Sequence, residues 1–209
     1  MVWQGMETMF FVRRKRKMKK YKLEIVGIQP VIWNVLKREI ELEKKALKKD
    51  QLSEWEEDRE NWLKKAEYND EGQIIIPERW LKSAFIDACK KTMIVPHFAT
   101  RKNQTYTSYA QSMMVFNTMD VTYSPDDIVD FGAFVGAQGK NSSTKVWRVR
   151  PMLKEWTSTF SIIDPIGRMD KDEMTKILEY AGLMVGIGDN RVNNFGRFEI
   201  KKLTEVESK

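Results

Sequence analysis

Apolar and polar positions alternate from Tyr21 to Ile28, the period of a half-buried first strand, and Gln29-Pro30 breaks it. Val31-Ile32-Trp33 continues the apolar character until Asn34 offers a helix cap. From Lys37 to about Glu67, Glu, Lys, Leu and Trp dominate, and Leu52, Trp55, Trp62 and Ala66 fall three, four and seven apart, predicting one long charged helix or a helical pair. Tyr68 to Gly72 is turn chemistry, Gln73 to Ile76 a short strand, and Pro77 opens a helix over 78–91 with Trp80, Leu81, Ala84, Phe85 and Ala88 on its buried face. Strands follow at Met113–Tyr123, Phe131–Val135, Val146–Arg150 and Trp156–Ile163, the last one central. Asp170 and Glu173 form a capping box for a helix running to Met184, which buries Met174, Ile177, Leu178 and Ala181. A loop with glycines at 186, 188 and 196 then leads into a strand over 197–203.

This order predicts an α+β fold: a ferredoxin-like or RRM-like βαββαβ core with a helical insertion and an extra β-hairpin. The expected organisation is a basic flexible tail over 1–20 and a single domain over 21–209, with a helical insertion at 34–70 and a hairpin insertion at 132–147.

Length, composition and charge narrow the picture. A chain of 209 residues that is 42% hydrophobic can bury a core of its own. No apolar run approaches the roughly 18 residues that cross a bilayer, and the first residues lack the pattern of a secretion signal, so the expectation is a cytoplasmic protein without a membrane role. The only cysteine, Cys89, falls inside a helical pattern and is expected to be a core thiol, which leaves no disulfide framework or thiolate metal cluster. No cofactor is expected. The net charge of +6 is concentrated in Arg13, Arg14, Lys15, Arg16, Lys17, Lys19 and Lys20; removing these seven cations and Glu7, the single acid of residues 1–20, leaves 29 basic against 29 acidic side chains. That tail serves either as an arm for phosphates or as an extension ahead of a start at Met18.

Three stretches carry candidate chemistry. Gly186, Gly188 and Gly196, with Arg191, Asn193, Asn194 and Arg197, suit a turn in which amides and guanidiniums meet a phosphate chain, and they suit a tight structural turn equally well. Strand 146–150 places Arg148 and Arg150 on one face, beside Lys140, Lys145 and Lys154, as a phosphate track or as a solvated strand face that carries arginine for solubility. The polar stretch Thr92–Ser112 interleaves Arg101, Lys102, Tyr106 and Tyr109, as single-strand binding requires and as a plain surface loop also allows, and holds the lone histidine, His97, a candidate general base.

The run Ile75-Ile76-Pro77-Glu78-Arg79-Trp80-Leu81-Lys82-Ser83-Ala84-Phe85 resembles the strand-to-helix element of the RAMP superfamily of CRISPR RNA-binding subunits, which also carry a C-terminal glycine-rich loop like Gly186–Gly196. Val149-Arg150-Pro151, Trp156 and the closing segment from Gly186 to Phe198 are similar to bacteriophage proteins of this length, and the resemblance spans residues 21 to 203. It departs at Glu78, Arg79 and Trp80, where the superfamily places glycine and serines, at Ile86 in place of an arginine, and in the first-strand loop, which has no cleaving aspartate. It implies a non-catalytic, virus-encoded binder of single-stranded RNA or DNA that forms homo-oligomers or filaments. Two other functions stay open: a metal-independent endoribonuclease using His97, and a mimic that occupies a host defence complex through helix 37–67.

Overall fold

The computed structural model describes residues 17–35, 37–48, 50–101, 104–136 and 145–206. The expected basic arm at Arg13–Arg16, Lys102 and the hairpin tip with Lys140 lie outside the described residues.

Four strands, β1 (Lys19–Gly27), β3 (Val115–Thr122), β6 (Thr157–Asp164) and β7 (Phe198–Val206), make an antiparallel sheet of order β3-β6-β1-β7. Numbered as first to fourth core strands, this is 2-3-1-4, the ferredoxin-like arrangement, and the chain has the expected α+β fold. The crossovers are α4 (Glu78–Thr92) and α6 (Lys171–Tyr180). Alternation in β1 sends Tyr21, Leu23 and Ile25 inward, where they meet Leu81 and Phe85 of α4 and Met174, Ile177 and Leu178 of α6 in one core. Cys89 lies in that core at 1% exposure, and burial pushes its thiol up to about 12, so it carries no nucleophile at neutral pH. Asp170 and Glu173 form the expected capping box.

Between the first two core strands runs the helical insertion, and it differs from the expected long helix or helical pair. It consists of α1 (Arg38–Ala46), α2 (Gln51–Glu57) and α3 (Arg59–Leu63), and Asp58 turns extended at φ −66°, ψ 127° to cap α3 through its side chain. An N-cap needs a non-helical backbone, which interrupts the run that sequence periodicity favours. Thr92–Ser112 is no simple loop either, because α5 (Thr107–Ser112) buries Tyr109 and Ala110 there. Tail and sheet also meet differently, since Lys19 and Lys20 already belong to β1 and Lys19 donates to the Met169 carbonyl.

The extra hairpin is longer than 132–147. β4 (Ile128–Gly136) and β5 (Lys145–Leu153) pair over nine residues each, and β2 (Val31–Ile32) joins β5 in a second sheet of order β2-β5-β4. β2 covers only Met152 and Leu153 of β5. Farther along, Val149 is met by side chains of the insertion: its N–H donates to the Glu56 carboxylate at 2.9 Å, and its carbonyl accepts from the Lys65 ammonium, which also pairs with Glu56. Glu56 and Lys65 are 5% and 4% exposed. A buried ion pair thus takes the place of a neighbouring strand, satisfying both backbone groups that burial would otherwise orphan. Burial alone would raise the Glu56 carboxyl, but bonds from Lys44, Lys65 and Val149 outweigh it and hold the group below its ordinary value. Burial pushes Lys65 down to about 8 against the pull of Glu56.

Candidate nucleic-acid interface

After Tyr180 the chain makes one wider helical turn, Ala181–Val185, and enters the glycine loop. Gly186, Gly188 and Gly196 have φ of 76°, 81° and 68°, and Asn190 and Asn194 are also left-handed. Several amides of this loop are spent on the protein itself. Gly186 donates to Ala181, Ile187 to Gly196, Asp189 to Ile32 and Gly196 to Pro30, at 2.7–2.9 Å. A methyl on Gly188 would sit 2.8 Å from the Ile32 carbonyl oxygen, and one on Gly196 would collide with that of Ile187. Of the two readings open in the sequence, the geometry matches the structural turn: these glycines admit the loop's own backbone, and the Gly186 and Gly196 amides do not face a ligand.

The loop does position its arginines. Arg191 and Arg197, with Lys90 and Lys91 from the end of α4 and Tyr180 from α6, line a hollow of about 530 Å³ that contains one carboxylate among the described residues, Asp87. Asp87 lies 3.2 Å from Lys90 and 3.8 Å from Arg191, so four cations share one anion. Arg197 is oriented by its Nη2, which donates to the Arg191 carbonyl at 3.4 Å and to Asn194 Oδ1 at 3.2 Å, while its Nη1 is buried without an acceptor. Burial, and then the charge of Arg191, lower the Arg197 guanidinium from its ordinary value, and it stays a cation at neutral pH. Asn193 bonds Asn190 through its side chain at 2.7 Å, so Asn193 and Asn194 serve as braces of the loop.

The other expected contacts scatter. Arg150 is 8% exposed and pairs with Asp189 of the loop at 2.8 Å, clamping the loop to β5; it presents nothing to a phosphate track. Pro151 and Val149 on either side of it are buried too, so this part of β5 has no solvent face for the expected ladder. Arg148 and Lys145 line a second hollow that shares no residue with the first. Tyr106 is fully buried, with its hydroxyl donating to Glu173 at 2.6 Å and its ring edge-on to Phe98, so it has no face for a base. Tyr109 is 8% exposed and donates to Asp164. Arg101 is exposed but belongs to neither hollow.

His97 is exposed, and its ring offers a nitrogen in a group with Asp170 and Glu173 whose ligand atoms all lie within 4.8 Å of one another. Those acids already cap α6, and Glu173 also accepts from Tyr106. Sequence reasoning missed this juxtaposition, and it missed Lys90, Lys91 and Tyr180; the paired lysines and tyrosine at the ends of two helices were the available signal. No helix among the described residues is long and apolar enough to cross a membrane.

No protein-family model matches the chain, and no curated protein matches it in sequence. Among solved structures, the type III-B Cmr-beta complex bound to cognate target RNA contains a chain similar to this one, with a TM-score of 0.53 and 13% identity over 91% of the present chain. The present chain spans 61% of that neighbour's length. Cmr6 from Pyrococcus furiosus overlaps less closely, with a TM-score of 0.45 and 7% identity, covering 88% of this chain and 98% of its own. At these identities what is shared with the Cmr-beta chain is the fold, the α+β architecture that the order of elements predicts.

Proposed function

We propose that this protein binds single-stranded nucleic acid, RNA first, as a non-catalytic subunit of a CRISPR-type assembly in which copies pack along the strand. The observation that carries this reading is the convergence of Lys90, Lys91, Arg191 and Arg197 on one hollow holding a single carboxylate. Guanidiniums and ammoniums in excess of anions take phosphate oxygens through charge-assisted bonds. Tyr180 adds a ring at the rim, where a base could stack. The fold shared with a chain of an RNA-bound complex supports the same reading. The resemblance of Val149-Arg150-Pro151, Trp156 and the closing segment to phage proteins extends the proposal to a viral origin.

Replacing Arg191 and Arg197 together by Gln removes two phosphate contacts. Binding of a labelled oligonucleotide should weaken at least about tenfold, and the slope of log affinity against log salt should flatten by roughly 1.4. An unchanged slope in a folded variant excludes this hollow. Matched RNA and DNA oligonucleotides separate the two ligands.

A second reading, endoribonuclease activity, is favoured by His97 lying beside Asp170 and Glu173. An imidazole held near carboxylates can take the proton from a ribose 2′-hydroxyl. In EDTA, wild type should then cleave RNA and His97→Ala should not; intact RNA in both samples removes catalysis.

A further inference from the structure

The second hollow, about 440 Å³, opens between the helical insertion and the β4–β5 ribbon. Phe134 and Trp147 face each other directly across the ribbon, with ring centroids 5.0 Å apart and planes at 58°. Trp147 lies flat over Gly132, in the space a side chain there would fill, while Phe134 is left 67% exposed. Lys45 of α1 and Lys145 and Arg148 of β5 surround this pair, and none of the three forms an ion pair among the described residues. The one carboxylate among the described residues that line the hollow, Glu56, is already engaged by Lys44, Lys65 and the Val149 amide. An uncovered aromatic face, three uncommitted cations and a volume in the range of small-ligand sites occur together.

We propose that this hollow is a nucleotide site: a base stacks on Phe134 beside Trp147, and its phosphate is held by Lys45, Lys145 and Arg148. Aromatic rings take bases by their π-faces and cations take phosphate, and both lie within one lining here. The inference rests on the nucleic-acid reading above for the source of the nucleotide, since the same chemistry would take a unit of a bound strand or a free nucleotide. The site is separate from the glycine-loop hollow, and the two can be disabled independently.

The test uses the full-length protein with labelled oligoadenylate and with fluorescent 1,N6-etheno-AMP, comparing wild type, Phe134→Ala and Phe134→Trp. Phe134 is exposed, so neither substitution opens the core. The expected result is an oligonucleotide affinity roughly tenfold lower in Phe134→Ala, with an unchanged salt slope because no phosphate contact is lost, and recovery in Phe134→Trp. If Phe134→Ala binds the oligonucleotide as wild type does, the site is refuted while the glycine-loop hollow stands. If wild type ignores the oligonucleotide yet binds etheno-AMP in a Phe134-dependent way, the nucleotide site stands and the polynucleotide reading falls. If wild type binds neither ligand, both fall.

Discussion

Glu56→Ala is expected to destabilise the protein by about 3–5 kcal/mol, lowering Tm by roughly 10 °C. The carboxylate holds Lys65, which is 4% exposed, and accepts the Val149 N–H, so its removal leaves a buried ammonium and a buried amide without their partner. The loss comes from stranding the survivors. Replacing both members, Glu56→Met with Lys65→Met, should therefore recover much of it, although the Val149 backbone groups stay unpaired. Thermal melts followed by circular dichroism separate these variants. The pH dependence has a definite sign. Glu56 is held below the ordinary value of about 4.3, so its stabilisation is complete above that pH and disappears as pH falls through the lower folded value. Wild type and Glu56→Gln should converge in acid and separate near neutrality. A Glu56→Ala protein that melts with wild type would show that the insertion does not complete the edge of β5.

Gly196→Ala is expected to cost about 3–4 kcal/mol, from a left-handed backbone penalty of about 1–2 kcal/mol and two hydrogen bonds at about 1 kcal/mol each. Gly196 sits at φ 68°, a methyl on it strikes the Ile187 carbonyl, and the same residue bonds Pro30 and Ile187 through its backbone. Relief requires the loop to lift from β2, which also loosens the Arg150–Asp189 clamp. The result separates two roles for the glycines. Were they there to admit a ligand, Gly196→Ala would spare the melt and reduce binding; a loop closed on its own backbone predicts a lowered Tm first, with binding lost in proportion to the unfolded fraction. Melts and oligonucleotide titrations of one sample distinguish the two.

Much of the architecture was legible because it is written in local periodicity. The alternation of Tyr21, Leu23 and Ile25, the buried stripe of Met174, Ile177 and Leu178, and the Asp170–Glu173 box each specify an element within one window of sequence, and strand order follows from the alternation of elements. The insertion was legible only as charge and tryptophan. Its division into three helices depends on Leu47 turning extended after α1 and on Asp58 capping α3, and the burial of Glu56 and Lys65 depends on an edge of β5 more than eighty residues away.

Of the candidate site, the sequence located the arginines and left their company unknown. Arg150 and Arg191 look alike along the chain, yet one is buried against Asp189 and the other faces a hollow, because side-chain environment is a property of what packs opposite. Tyr106 sits in a polar stretch that reads as solvent-facing, but Phe98 and Glu173 enclose it. By itself the sequence determined the core elements, their order and the abundance of cations; these follow from propensity and spacing, which act over a few residues. Only the tertiary structure decided which cations stand unpaired around a hollow, that the glycines serve the loop's own backbone, and that Phe134 is left bare beside Arg148, because each depends on contacts between segments far apart in the chain.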